Sequence, residues 1–521
     1  MFLAQAPAAP LEVPSVDYAA VLPMLIVFGV ACIGVLVEAF APKATRWGIQ
    51  VTISLVAILA AGVSLILYAT GASATKAGTT TFSGSISVDR PSLFLWGTLL
   101  LLGLGAVFLI ADRKVEPGGA FVAQAAIRPG TVQDRAQAAT TSQTEVFPLT
   151  LFALGGMMTF CAANDLLTMF IALEVLSLPL YLMCGLARRR RLISQEAAVK
   201  YFLLGAFSSA FFLYGLALLY GYADSVKLVD IAHAAAGSDR SDTLLFAGLG
   251  LLVVGLLFKG SVGPFHTWTP DVYQGAPTPV TGFMAACTKV AAFGAILRVL
   301  SVGFSSTSWE WRGVMWAVAI ISMALGAVLG LTQTDVKRMI AYSSVAHAGF
   351  LLVGAIAMTE DGLSGTLFYL LAYGFTTLAA FGVVSLVRDS SGEATHLSAW
   401  AGLAKRSPLL AGVFTFLLLA LAGIPLTSGF VGKFVVFSAA LSDGMAPLVV
   451  VALVFSAVAA FFYLRVIVLM YFSEPAADGP TVTVPGGFTT AAIALGVVVT
   501  LVLGVLPAFA LDWAGAGGFA S

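Results

Sequence analysis

The sequence predicts an all-α integral membrane protein of about fourteen transmembrane helices, and three observations carry that prediction. Of its 521 residues 59% are hydrophobic and 10% charged, against roughly 25% charged in a soluble domain. The 26 basic and 26 acidic residues are too few to cover a water-facing surface, so much of the surface must face lipid. The apolar residues also fall into fourteen runs, near 18–40, 47–70, 91–111, 146–162, 165–187, 197–221, 243–260, 276–300, 311–331, 336–358, 362–387, 408–440, 446–472 and 486–512. A spanning helix uses about 20 such residues.

The longest polar stretches, 112–145, 222–242 and 388–407, are too short for folded domains. The chain is therefore read as one polytopic membrane domain over 1–521. It has three helices in 1–111, two five-helix groups in 146–300 and 311–472, and a closing helix in 486–512. Lys and Arg collect on one side: Lys43, Arg46, Arg113, Lys114, Arg128, Arg135, Arg188 to Arg191, Lys337, Arg338, Arg388, Lys405 and Arg406. Lys76, Arg90, Lys227, Arg240, Arg298 and Arg312 lie on the other. The bias places the first set in the cytoplasm and both termini on the outer side.

Several classes are excluded. Net charge is zero and no basic stripe extends beyond Arg188 to Arg191, so no nucleic-acid partner is expected. Cys32, Cys161, Cys184 and Cys287 lie in apolar runs without CxxC spacing. They are read as small core residues rather than cluster, zinc or disulfide ligands. No basic residue precedes Lys43, so the first run is expected to remain as a helix rather than be cleaved as a signal peptide.

The informative residues are charges inside apolar runs, each costing roughly 2.5–3.5 kcal/mol at mid-membrane. Glu174 lies in IALEVLSLP, and Lys259 in LLFKGSVGPF, five residues before Pro264. That proline should break the helix just past the lysine, as tolerated where a span lines a water-filled cavity. Lys289 sits midway along ACTKVAAFG, and Lys433 in AGIPLTSGFVGKFVVF, where Pro425, Gly429 and Gly432 suggest a second interrupted helix. Its GK pair is not a phosphate loop, because Phe434 stands at the Ser/Thr position. A carboxylic acid buried neutral or a snorkelling lysine are the open alternatives for Glu174 and Lys259.

Glu196 and Lys200 share a helix face at i, i+4, as relay groups or as an interfacial pair. Arg465 stays charged and is assigned a structural or electrostatic role. His266 and His347 fit a proton relay or a structural hydrogen bond equally, whereas His233 and His396 read as solvated loop residues. Burial disfavours the charged form of Lys and Glu alike, and a nearby opposite charge restores it. A row of such groups bridged by water can carry protons; equally, it can carry Na⁺ to the acidic site.

Lys259 and Lys433 are 174 residues and five segments apart, so their helices run in opposite directions. That spacing suggests an inverted-topology repeat of segments four to eight and nine to thirteen. The offset carries Glu174 to within one residue of His347, and Lys289 to within two of Arg465. Pro264 follows its lysine whereas Pro425 precedes its own.

The longest informative run is FKGSVGPFHTWTPDVYQGAPTPVTGFMAACTKVAAFGAILR, from Phe258 to Arg298. It is joined by FIALEVLSLPLYLM at 170–183, EAAVKYFLLGAFSSAFFLYG at 196–215, KRMIAYSSVAHAGF at 337–350 and LAGIPLTSGFVGKFVVF at 421–437. With these runs the chain resembles the subunit N family of bacterial proton-pumping NADH:quinone oxidoreductase, respiratory complex I. The wording PDVYQGAP separates it from the related L and M subunits and from multisubunit cation/proton antiporters.

The resemblance implies an antiporter-like fold of fourteen helices with two inverted five-helix repeats and broken helices seven and twelve. It implies that Glu174 pairs with Lys259, that Lys289 connects the halves and that Lys433 is the terminal protonatable group; Glu196 and Lys200 inherit a lesser role. It also implies proton translocation driven by quinone reduction elsewhere, in a bacterial cell membrane. No cofactor is implied in this chain, since flavin mononucleotide, iron–sulfur clusters and quinone belong to other subunits. The implied partners are the M-type antiporter-like subunit and the small K-, J- and A-type subunits. A Na⁺/H⁺ antiporter subunit is the alternative.

Overall fold

A computed structural model describes residues 16–71, 78–116, 119–122, 131–132, 143–237, 242–389, 392–475 and 479–520. Lys76, Arg128, Arg135, Arg240 and most of the 112–145 stretch lie outside the described residues.

Helices cover all fourteen apolar segments. They are α1 (Tyr18–Phe40), α2 (Lys43–Thr70), α3 (Arg90–Ala111), α4 (Val146–Ala162), α5 (Leu166–Cys184) and α6 (Arg191–Ala223). After a short α7 (Leu228–Gly237) come α8 (Thr243–Lys259), α9 (Trp268–Gly275) and α10 (Thr278–Gly303). The second half holds α11 (Ser308–Thr332), α12 (Val336–Ala357), α13 (Glu360–Val384), α14 (Pro408–Ala422), α15 (Ser428–Ser442), α16 (Ala446–Phe472), α17 (Gly487–Val505) and α18 (Ala508–Ala514). Eleven helices among the described residues are long and apolar enough to cross a membrane.

Helix starts follow from local chemistry. The carboxylates of Asp17, Asp89, Asp165 and Asp335 accept backbone N–H groups at the N-termini of α1, α3, α5 and α12, filling donors that a helix leaves unpaired. Exposed apolar residues such as Leu59, Val63 and Leu67 on α2 and Phe461 and Val468 on α16 mark faces turned to lipid. By contrast, the most apolar stretches of α10 and α13 are wholly buried, and that of α12 nearly so. These three form the core.

Both lysine-bearing helices are interrupted. α8 ends on Lys259 itself, and turns through Gly260 to Thr267 lead to α9. α14 ends at Gly423, in the left-handed region at φ +86°, before α15 resumes at Ser428. A π-helical stretch, Met284–Thr288, lies directly before Lys289, and a second, Val299–Gly303, ends α10.

The interruption expected around Pro425 is present, the chain leaving helical geometry from Gly423 to Thr427. Three other sequence expectations are corrected. His233 lies on α7, exposed, rather than in a loop. Cys32 is exposed rather than in the core, since an apolar run does not distinguish a lipid-facing position from a buried one. Arg298, counted among the end charges, is fully buried: its guanidinium pairs with Asp89 at 2.9 Å and donates to Ser92 Oγ at 2.6 Å and the Cys161 carbonyl at 3.0 Å.

Small sheets close the two ends. β1 (Thr79–Thr81) pairs antiparallel with β2 (Ile86–Val88) near the Asp89–Arg298 end. At the opposite, basic end β3 (Val387–Asp389) lies between β4 (Gly392–Glu393) and β5 (Thr481–Val482).

Candidate functional site

Lys259, the last residue of α8, donates from Nζ to Ser177 Oγ at 2.7 Å and to the Tyr201 hydroxyl at 3.0 Å. Its ammonium also lies over the Tyr181 and Tyr201 rings, 5.6 and 5.1 Å from their centroids. Tyr201 stacks on Trp268 at 4.5 Å, and the Trp268 indole donates to the Phe258 carbonyl at 2.9 Å. The indole thereby ties α9 back across the break. Glu174 stands one turn before Ser177 on α5, with one carboxylate oxygen buried and without a hydrogen-bond partner. Its charge bears on Lys259, yet the amine bonds to the two hydroxyls. Ser177 and Tyr201 thus hold the amine, with Glu174 near enough for its charge to act on it.

Lys289 follows the π-helical stretch and donates to the Ser344 carbonyl on α12 at 2.6 Å, with the Tyr373 ring 5.4 Å away. Tyr273 lies near Ser344 and Ser261, and the Ser344 and Tyr373 hydroxyls are buried without a hydrogen-bond partner. Ser261 is two residues past Lys259, so polar groups run from the first break to Lys289.

His347 continues the row. Its Nδ1 meets the Tyr369 hydroxyl at 2.7 Å and its Nε2 the Tyr463 hydroxyl at 3.3 Å; Tyr463 also bonds to Ser343. The imidazole lies edge-on to Tyr369 and tilted against Tyr373, and the charges of Lys289 and Lys433 both bear on it. Lys433 donates to the carbonyls of Ala422 at 2.9 Å and Leu421 at 3.3 Å, and to Ser456 Oγ at 2.9 Å. Its acceptors are thus the last carbonyls of α14, freed by the break. Lys259 and Lys433 each sit at the carbonyl end of a half-helix, where the dipole favours positive charge.

The remaining candidates lie off this row. Lys200 bonds to Glu196 and to Asp271, both at 2.7 Å, with 42% of its side chain exposed. Arg338 joins Asp271 at 2.6 Å, so these residues form a rim cluster at the basic end. Arg465 is exposed and donates to the Leu331 carbonyl at 2.9 Å, capping α11. The 174-residue offset from Lys289 lands on Tyr463, which is in the buried row; Arg465 is not. His266 is buried edge-on to Tyr342.

Sequence reasoning missed Ser177, Tyr201, Tyr273, Ser344, Tyr369, Tyr373, Tyr463 and Ser456. A usable signal was present for Ser177, one turn beyond Glu174, and for Ser343 and Ser344, one turn before His347.

Residues 163–473 match the family described as NADH:quinone oxidoreductase/Mrp antiporter, transmembrane. A relative in Saccharopolyspora erythraea named NADH-quinone oxidoreductase subunit N is 76% identical over 98% of this chain and 99% of its own. The chain belongs to the NADH-quinone oxidoreductase subunit N family. A subunit N of Mycobacterium bovis is 54% identical over 97% of this chain and 98% of its own. Among solved structures, a chain of respiratory complex I from Thermus thermophilus with bound aureothin superposes with a TM-score of 0.76 at 34% identity, covering 95% of this chain and all of that one. A chain of the Mrp complex from Dietzia shares the fold, with a TM-score of 0.79 at 22% identity over 95% of this chain and 96% of that one. The subunit N family and the Mrp chain thus share one antiporter-like fold.

Proposed function

We propose that the chain translocates protons as a membrane subunit of NADH:quinone oxidoreductase, along the row Glu174, Lys259, Lys289, His347 and Lys433. One observation carries this reading: three buried lysines, each at a helix break or π turn, lie in one row with the polar side chains of Tyr273, Ser344, Tyr373 and His347 between them. Serine and tyrosine hydroxyls both donate and accept, so Lys259, bonded to Ser177 and Tyr201, and Lys433, bonded to Ser456, each have a neighbour able to pass a proton. The freed carbonyls of α14 hold the Lys433 amine, the Ser177 and Tyr201 hydroxyls hold that of Lys259, and Glu174 stands one turn from Ser177.

Quinone reduction takes place elsewhere in the complex, with flavin, iron–sulfur clusters and quinone in other subunits, and alters the electrostatics at one end of the row. Residues 146–300 and 311–472 act as two inverted half-channels meeting at Lys289. The basic end, carrying Arg188 to Arg191, Lys337 and Arg388, faces the cytoplasm of a bacterial cell membrane, and the neighbours are the M-type and small K-, J- and A-type subunits. Glu196 and Lys200 serve as rim residues at the mouth.

The test is NADH-driven proton uptake by inverted membrane vesicles. Lys259→Met and Glu174→Gln should each reduce uptake in complexes that assemble normally on a native gel. Full uptake in either variant overturns the assigned row.

A further inference from the structure

α2 and α17 pack against α3 from two sides, and between them lies a groove of about 560 Å³ floored by Phe108 and Ala111. Its walls are aromatic: Phe488 stacks on Phe108 with ring centroids 5.8 Å apart, and Trp47 meets Phe488 edge-on at 6.5 Å. The proton row lies elsewhere, and the groove opens between two helices whose outer faces carry Leu59, Val63, Val498 and Leu501 exposed. Its mouth is at the basic end. Arg113 lies over the Trp47 ring, 5.3 Å from the centroid, and both Arg113 and Lys114 are exposed. Asp112, the carboxylate among the lining residues, is turned inward, accepting the Thr489 N–H at 3.0 Å and the Lys114 N–H at 2.8 Å.

We propose that this groove binds an anionic glycerophospholipid, its acyl chain against Trp47, Phe108 and Phe488 and its phosphate held by Arg113 and Lys114. The volume suits a hydrophobic ligand site, aromatic side chains are enriched at the level where headgroups meet acyl chains, and paired cations beside a membrane helix select negatively charged headgroups. A zwitterionic lipid would fill the groove without using the net charge at its mouth.

The test uses the purified complex in phosphatidylcholine nanodiscs containing a trace of either phosphatidylglycerol or phosphatidylcholine with a diazirine on the acyl chain. After illumination, adducts should map to the peptides of Trp47 and Phe488, at least fivefold more for phosphatidylglycerol. Arg113→Gln with Lys114→Gln should bring that labelling down to the phosphatidylcholine level. Gly487 lines the groove and a Cβ there meets nothing within 4 Å, so Gly487→Leu adds side-chain volume at the lining and should abolish the adducts. Equal labelling by both lipids overturns the proposal, as does groove labelling no stronger than that of Leu59 and Val63 on the open face of α2. Retention of the preference in the double variant, or of the adducts in Gly487→Leu, does the same. If the double variant fails to assemble, Gly487→Leu and the headgroup comparison decide the question.

Discussion

Replacing Gly423 by alanine separates the contribution of the helix break from that of the lysine. Gly423 ends α14 at φ +86°, and a Cβ built there lies 3.0 Å from Lys433 Cδ and 3.2 Å from its Nζ. Holding a non-glycine residue in the left-handed region costs roughly 1–2 kcal/mol. Displacing the amine from the Ala422 carbonyl, now 2.9 Å away, forfeits a charged hydrogen bond of about 1.5–3 kcal/mol. The 3.0 and 3.2 Å contacts require the amine to give way by a few tenths of an ångström, which stretches that bond, so proton uptake should fall severalfold. The assay is NADH-driven proton uptake by inverted vesicles, normalised to assembled complex on a native gel. Gly412→Ala is the control: it lies on the same helix, its Cβ meets nothing within 4 Å, and alanine there is stabilising by up to about 1 kcal/mol. Uptake by Gly423→Ala within twofold of wild type would refute the idea that the break positions the amine.

Tyr463→Phe removes the hydroxyl shared by His347 and Ser343 and should lower proton uptake severalfold with assembly intact; unchanged uptake would remove Tyr463 from the row. Arg298→Leu strands Asp89 in a fully buried pair and should destabilise by about 3–5 kcal/mol, read as reduced assembled complex, with Asp89→Leu added to it restoring part of the yield. Glu196→Gln breaks a half-exposed bond worth about 0–1 kcal/mol and should change assembly little, with a smaller effect on uptake than Lys259→Met.

The sequence made the helices legible because lipid imposes one demand, about 20 apolar residues per crossing, and Pro264 and Pro425 marked the breaks beside Lys259 and Lys433. It also exposed the buried charges, since an ionised group in an apolar run stands out. The groups that satisfy them were hidden. Ser177, Tyr201 and Ser456 are ordinary residues within apolar helices, and their importance depends on which helix faces which. Arg298 escaped for a related reason: its position near the end of an apolar run suggested a loop charge, while its partner Asp89 lies 209 residues away. Arg465, assigned a structural or electrostatic role, caps α11 through the Leu331 carbonyl, though its outward face on α16 is invisible in an unbroken apolar run.

The most apolar stretches of α10 and α13 are sheathed on every side by the chain's own helices, and the amine of Lys289 lies within that sheath. Two unit charges about 10 Å apart in a medium of effective dielectric about 20 interact by about 1.7 kcal/mol, a bias of more than tenfold. Mobile ions, which damp such forces at an exposed surface over about 8–10 Å, do not reach between them. His347, on which the charges of Lys289 and Lys433 both bear, therefore senses each of them with little attenuation and without movement of the backbone. The sheath works as insulation does around a conductor, keeping the signal inside the molecule.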